Sequence, residues 1–543
     1  VHYEGTRFDK DYGGNAYSDF YSKMYPGQGW MHRTTSNLDK PMFLCEYAHA
    51  MGNAMGNFKE YWDVIEQSNS TIGGCVWDWV DQAFYDPKLM KKGEYRLTTG
   101  YDYPGPHQGN FCSNGILTAT REPSAKLAEV KAVYSPVKID SVAVDKSLSK
   151  ATVYLRNGYC FTNMSGMTVR SELLCDGVGI NTLKKVLGDV APGASAAMEL
   201  ELPTELAVKA ASGNELLLNV SVEQSMATRY ADAGHTVVTR QFALTPRPHL
   251  QAKNDRRGIV MTKEDGNSLI IRARNQKTRA EFDKKTGELK SLEIGGVKVI
   301  EPGHGPVYSN HRWIENDRFA DTSNGVYPVG TVQYARKTNG EVTVRTHRGG
   351  DLCDTDIEYT FYCDGVVDMD VRFNPKRSDL RRVGLEMGLN PELHRVVYYA
   401  LGPWENATDR RDGVTAGLYS TDVDSMGENY MKPQTTGERQ ELRKVRFSNP
   451  KTRESVLIEA EGLPSFSALR HTDADLMNAN HQWELSPRPY TVVHIDAATR
   501  GVGNASCGRD VDTMPRYCVP ETPMGYKLRI SGSRQDYTCI LRL

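Results

Sequence analysis

Lys40-Pro41-Met42-Phe43-Leu44-Cys45-Glu46 is a short apolar run that ends in a carboxylate, and it reads as a buried strand. After it, Met55 to Gln67 places Phe58, Tyr61, Trp62 and Ile65 at helical spacing, and Gly74-Cys75-Val76-Trp77-Asp78-Trp79-Val80 gives a second strand. Strand, helix and strand in that order predict a right-handed parallel crossover, the unit of a (β/α)8 barrel. In such a barrel the catalytic groups project from the C-terminal ends of the strands. Glu46 stands at such an end, and the next strand delivers Trp77, Asp78, Trp79, Asp81 and Gln82 to the same rim. Rings that stack on the C–H faces of sugars, beside carboxylates and amides that bind hydroxyls, suit a carbohydrate. The residues alone leave two readings open: a glycosidase, or a carboxylate that satisfies helix-start amides beside core tryptophans.

From about Val137 the pattern changes to short alternating runs bounded by Gly, Asn and Asp, such as Ala151-Thr152-Val153-Tyr154-Leu155 and Leu216 to Val222. That is β-sandwich patterning. Thr245-Pro246-Arg247-Pro248-His249 and the charged run Lys253 to Arg257 read as a linker. Beyond it strand patterns dominate, including the alternating Val367-Asp368-Met369-Asp370-Val371-Arg372-Phe373, and no repeat period is present. The expected fold is multidomain, α/β plus all-β. Residues 1–135 form half of a barrel, 136–248 an immunoglobulin-like β-sandwich and 249–543 a large β-sandwich.

Composition excludes several functions. The 66 basic and 68 acidic side chains give a net charge of -2, with no basic run of the kind a phosphate-binding surface needs. No stretch is apolar for long enough to span a bilayer. The start, Val1-His2-Tyr3-Glu4-Gly5, has neither an initiator Met nor a signal pattern, so the chain is expected to begin mid-protein. The compartment, cytoplasmic or periplasmic, stays open. The ten cysteines are scattered without a Cys-x-x-Cys pair, which reads as small buried thiols rather than zinc ligands or a disulfide framework.

The stretch Cys45-Glu46-Tyr47-Ala48-His49-Ala50-Met51-Gly52-Asn53, followed by Gly74 to Gln82, resembles the signature of the β-galactosidases of glycoside hydrolase family 2. Phe111-Cys112-Ser113-Asn114-Gly115 continues the likeness, and Leu401-Gly402-Pro403-Trp404-Glu405-Asn406 with Asp409-Arg410 is similar to a segment of that family's C-terminal domain. Similar segments run in family order to about residue 520. The resemblance implies a retaining hydrolase of terminal β-D-galactose, with Glu46 as the nucleophile that forms a covalent galactosyl-enzyme. It implies that Tyr25 lies beside the nucleophile, that His49 binds substrate hydroxyls and that Trp77 forms the galactose platform. Phe111, through its carbonyl, and Asn114, through its amide oxygen, match residues that bind sodium in this family. The loop after Glu315-Asn316-Asp317 is similar to one that reaches over the galactose pocket. Related β-glucuronidases and β-mannosidases share the architecture, but the signature and the long C-terminal unit favour galactose.

Three departures follow. The family's acid/base glutamate sits at the end of barrel strand four, upstream of this chain, as do its magnesium ligands and one sodium aspartate. Strands beginning near His2-Tyr3, Asp19-Phe20-Tyr21, Met42-Phe43-Leu44 and Cys75-Val76-Trp77 would be strands five to eight, with Glu4 on strand five. Asn214-Glu215 has the Asn-Glu form of an acid/base motif but lies in sandwich-type sequence, and it is rejected. Second, half a barrel exposes two long edges, so the expected partner is the missing N-terminal part of the same enzyme. Third, Cys507 stands where a tryptophan for the leaving-group sugar is expected. The competing reading is a catalytically silent carbohydrate-binding or assembly fragment. Oligomeric state stays open, with tetramers common among relatives.

Overall fold

The computed structural model describes residues 1–2, 4, 18–35, 38–85, 96–252, 258–273, 277–317, 322–328, 330–378, 380–508 and 511–534. The chain is mostly strand with few helices, and among the described residues no helix is long and apolar enough to cross a membrane.

The first unit holds a three-stranded parallel sheet of β1 (Tyr21–Met24), β2 (Met42–Tyr47) and β3 (Thr71–Val76), with β2 in the centre. Helix α1 (Gln28–Thr34) joins β1 to β2, α2 (Phe58–Gln67) joins β2 to β3, and α3 (Ala125–Val133) closes the unit. Met42 and Leu44 of β2 are fully buried, and α2 turns Phe58, Tyr61 and Ile65 onto them, three residues spaced as one helical face. Asn57 takes the left-handed conformation at the helix start, so α2 begins three residues later than the sequence pattern suggested. Of the four expected strands, three are found among the described residues. His2 lies outside any strand, Glu4 sits in a turn, and Tyr3 lies outside the described residues.

Seven antiparallel strands between Val137 and Ala243 form two sheets, one of three strands and one of four. Their facing side chains, among them Val153, Leu155, Leu173 and Leu218, make one core. Beyond Val260 two nine-stranded sheets share the largest core of the molecule. The alternation at Val367–Pro375 is carried through, with Val367, Met369, Val371 and Phe373 buried and the intervening acids and arginine outside.

The expectation of buried thiols needs correction. Cys353 and Cys363 are buried, but Cys75 and Cys160 are exposed and Cys45, Cys112, Cys175, Cys507 and Cys518 are partly accessible. Cys75 is open because β3 is poorly covered, as Ile72 on the same strand also shows, 59% exposed. A parallel sheet is stable when both faces are covered, so this strand calls for a further layer.

Candidate active site

Pairing puts the sequence-chosen residues on one rim. Met24 pairs with Glu46 and Tyr47 pairs with Val76, so Tyr25, Glu46 and Trp77 all lie at the C-terminal ends of adjacent parallel strands. The backbone locks this rim. Tyr25 N–H donates to the Glu46 carbonyl at 2.8 Å, Trp77 N–H to the Tyr47 carbonyl at 3.1 Å and Ala50 N–H to the Trp77 carbonyl at 2.8 Å. Tyr25 holds φ 44 and Ala48 φ 49, left-handed values that are uncommon for non-glycine residues and occur here on both sides of Glu46.

Three rings stand in a chain of contacts beside this rim. The buried His49 meets the edge of Tyr25, with centroids 5.8 Å apart, and tilts against Phe111 at 5.3 Å. The Tyr25 hydroxyl is buried without a hydrogen bond of normal geometry. Burial first, then the charge of Cys507, then Glu46 raise its pKa far above the ordinary phenol value, so the proton stays on. Trp77 stands apart from these rings, 38% exposed and open to solvent on the rim.

Asn114 is buried below His49. Its Nδ2 donates to the Phe111 carbonyl at 3.2 Å and lies 3.4 Å from His49 Nε2, while its Oδ1 is buried with no partner. An unsatisfied buried amide oxygen is a hard donor of the kind an alkali cation takes, while the Phe111 carbonyl here accepts from the nitrogen of the same amide. Two oxygens do not complete a coordination shell, so Phe111 and Asn114 fit part of such a site.

Other acidic groups of the rim face elsewhere. Asp78 accepts from Gln82 Nε2 at 2.8 Å and from Val80 N–H at 3.1 Å within its own turn. Asp81 is buried, accepts from Gly115 N–H at 2.7 Å, and has its pKa raised by burial against the opposing charge of Lys126. Glu215 lies in a salt bridge with Arg443 at 2.9 Å and accepts from the Tyr399 hydroxyl at 2.6 Å, far along the small sandwich, in keeping with its rejection.

The site also contains residues that sequence reading did not select. Ser506 hydrogen-bonds His49 Nδ1 at 2.7 Å across 457 positions of chain. Asn316 places it there: its Nδ2 donates to the carbonyls of Val502 and Gly503 at 2.6 and 3.0 Å, and its Oδ1 accepts from Ser506 N–H at 2.9 Å. Asn316 thus shapes the loop from Gly501 to Ser506 that meets His49, and buried Arg312 ties Asp317 to the carbonyl of Gly501, while the loop after Asp317 that the resemblance pointed to begins at residues 318–321, outside the described residues. Only the Asn-Asp spelling was available as a signal; Ser506 had none.

A carboxylate, a phenol and an imidazole on the rim of a parallel sheet, capped by a loop from a distant β-sandwich, define a hydrolase-like site on a multidomain scaffold. Comparisons with known proteins agree. Residues 1–139 match the family model described as glycosyl hydrolases family 2, TIM barrel domain; residues 153–245 match β-galactosidase, domain 4; and residues 274–530 match the β-galactosidase small chain. The chain belongs to glycosyl hydrolase family 2, matching the C-terminal part of its β-galactosidases. It is 27% identical over 96% of its length to a β-galactosidase of Priestia megaterium, of which that match covers 50%. The β-galactosidase of Streptococcus thermophilus is 28% identical over 93% of this chain and 50% of the relative, and that of Actinobacillus pleuropneumoniae 25% identical over 97% and 52%. The chain therefore spans about half the length of the curated relatives it matches.

Proposed function

We propose that this chain carries the nucleophile half of a retaining β-galactosidase and hydrolyses terminal β-D-galactosides once the remainder of the enzyme is in place. The observation that supports this best is the position of Glu46, at the end of a central parallel strand, flanked in register by Tyr25 and followed by His49. Glu46 attacks the anomeric carbon, and water later cleaves the galactosyl ester with retention. Tyr25, kept protonated, offers its hydroxyl to the carboxylate as charge is passed to the sugar and returned. His49, oriented by Ser506, binds a sugar hydroxyl, and the open face of Trp77 stacks on the galactose ring. The parallel sheet is then the second half of a (β/α)8 barrel.

Sodium is the cation that we assign to Asn114 Oδ1 and the Phe111 carbonyl, where it would supply a fixed positive charge for sugar hydroxyls. Magnesium, and the rest of the sodium shell, belong to the missing part. Retaining chemistry needs a second carboxyl about 5 Å from the first to protonate the departing oxygen. By the family's order that group lies upstream, so the chain alone is expected to be silent. The test is hydrolysis of an aryl β-galactoside by the 543-residue chain alone and after the upstream region is restored. Activity only in the second sample supports the reading. Turnover by the chain alone, if Glu46 is required for it, means another group here serves as the acid. Binding of galactosides with no turnover in either sample favours a silent carbohydrate-binding fragment.

The Cys507 thiol, close enough to influence Tyr25, gives no stacking face for a leaving-group sugar. In the complete enzyme, Cys507→Trp is expected to raise kcat/KM for lactose by roughly 3- to 10-fold, an aromatic contact's worth, with less change for aryl galactosides. A strong lactose preference in the parent, unchanged by the substitution, would sink this idea.

A further inference from the structure

The motif Trp404-Glu405-Asn406 with Asp409-Arg410 has no place in the chemistry above, yet it reaches the site. Ala48 to Asn57 is the loop that carries His49 away from Glu46 and into α2. Its carbonyls are gripped by two buried cations. Lys126, on α3, donates to the carbonyls of Ala50 and Gly52 at 2.8 and 3.3 Å. Arg410, from the large sandwich, donates through Nη1 to those of Asn53 and Ala54 at 3.0 and 3.1 Å. Its Nη2 is held by Glu405 at 2.8 Å, and Glu405 is held in turn by Tyr430, Thr436 and Gly437 N–H. Both cations are 3% exposed.

Asp409 extends the grip to the opposite loop. Its carboxylate accepts from Val502 N–H and Gly503 N–H, both at 2.8 Å, and its carbonyl accepts from Asn57 N–H at 3.0 Å. Gly56 N–H donates to the Gly503 carbonyl at 2.9 Å, and a Cβ on Gly56 would fall 1.9 Å from Asp409 Oδ2, so the loops approach as closely as glycine allows. One dipeptide thus touches both the loop that follows Glu46 and the loop that delivers Ser506 to His49.

We infer that Arg410 and Asp409 are positioning residues for the Ala48–Asn57 loop, which carries His49 and continues from the Glu46 strand end, with Lys126 as the second cation of the same clamp. This rests on the function proposed above. Side-chain amides and water grip carbonyls loosely, whereas a buried guanidinium fixes two at once with little freedom left in its planar fork. The loop it fixes carries the sugar-binding imidazole of His49 and follows directly on the strand end that bears the attacking oxygen of Glu46, and an error of about 1 Å in such a placement costs roughly 100-fold in rate.

The experiment compares the complete enzyme with Arg410→Met and Arg410→Lys, using an aryl β-galactoside for turnover and an activated 2-deoxy-2-fluoro-galactoside to count competent sites by covalent labelling. Expected is a kcat per labelled site about 100-fold lower in Arg410→Met with KM moved less than about threefold, and partial recovery in Arg410→Lys, which keeps the charge but not the fork. A purely structural role would lower the number of labelled sites and leave turnover per site unchanged. Turnover per site at the parental rate in whichever variant folds overturns the inference. If the label does not attach to Glu46 in the parent, it is the proposed function that fails, and the two failures are thereby distinct.

Discussion

Glu46→Gln in the complete enzyme is expected to lose roughly 10⁴-fold or more in kcat for an aryl β-galactoside, while the fold and galactose affinity stay close to those of the parent. The amide has the shape of the carboxylate and can keep the local contacts, but it lacks the negative charge and the nucleophilic oxygen. Backbone geometry does not depend on the side chain here, since the rim is locked through the Glu46 carbonyl, which accepts from Tyr25 N–H. Glu46 is one of the groups that hold the Tyr25 proton on, behind burial and Cys507, so that phenol stays protonated in the parent and in the variant alike. The kinetic measurement is steady-state turnover with a sugar-binding assay on the same samples. A variant that retains more than about one-tenth of parental kcat would remove Glu46 from the nucleophile role, and loss of galactose binding in step with kcat would point to a binding role instead.

How much of this was legible in the sequence differs between levels. The strand ending at Cys45 and the helix face of Phe58, Tyr61 and Ile65 could be read because burial in a sheet or on a helix imposes a local period. The alternation from Val367 to Phe373 could be read for the same reason. The rim residues Tyr25, Glu46 and His49 were found through position and resemblance, and the structure brings them together. What lay beyond reach was every contact made across the chain. Ser506 meets His49 over 457 residues and Arg410 meets Asn53 over 357, and neither end carries a period that names the other. Charge also misleads. Asp81 and Lys126 look like surface residues in a sequence, because acids and lysines usually are, yet both are buried. The exposed Cys75 misleads in the opposite sense, since its apolar neighbours suggest an interior that β3 does not provide.

Arg382→Met is expected to destabilise the large sandwich by about 3–5 kcal/mol at neutral pH, the cost of leaving buried charges without a partner. Arg382 is 1% exposed on the strand Arg382–Leu389. Its Nη1 donates to Asp473 at 2.9 Å and to the His311 carbonyl at 3.1 Å, and its Nε lies 3.1 Å from Asp496 Oδ2. Burial works to raise the Asp473 pKa, but the Arg382 charge, with His494, more than offsets it and holds that carboxyl well below the usual range. Asp496 is pushed up to about 6, by burial first, against the pull of Arg382. The sign of the pH dependence follows from these two shifts. In the parent, the depressed Asp473 contributes stability above its unfolded pKa of 3.8, and that contribution is lost only as pH falls through its lower folded value. The raised Asp496 acts the other way, costing stability as pH climbs from 3.8 through about 6. Without the guanidinium both carboxyls titrate higher, so the variant is penalised most where both would be ionised. The gap between parent and variant should therefore already be open near pH 4, where Asp473 is ionised in the parent, and widen further toward pH 7, a trend that urea midpoints at pH 5 and 7.5 will resolve. A gap below about 1 kcal/mol, or one that does not change with pH, would mean that Arg382 is not the charge on which these carboxylates depend. The consequence reaches the site, because Asp473 also accepts from Thr435, whose carbonyl accepts from Asn53 Nδ2 at 2.6 Å on the loop behind His49. Galactosidase activity should then fall over the same pH range in which the variant loses stability.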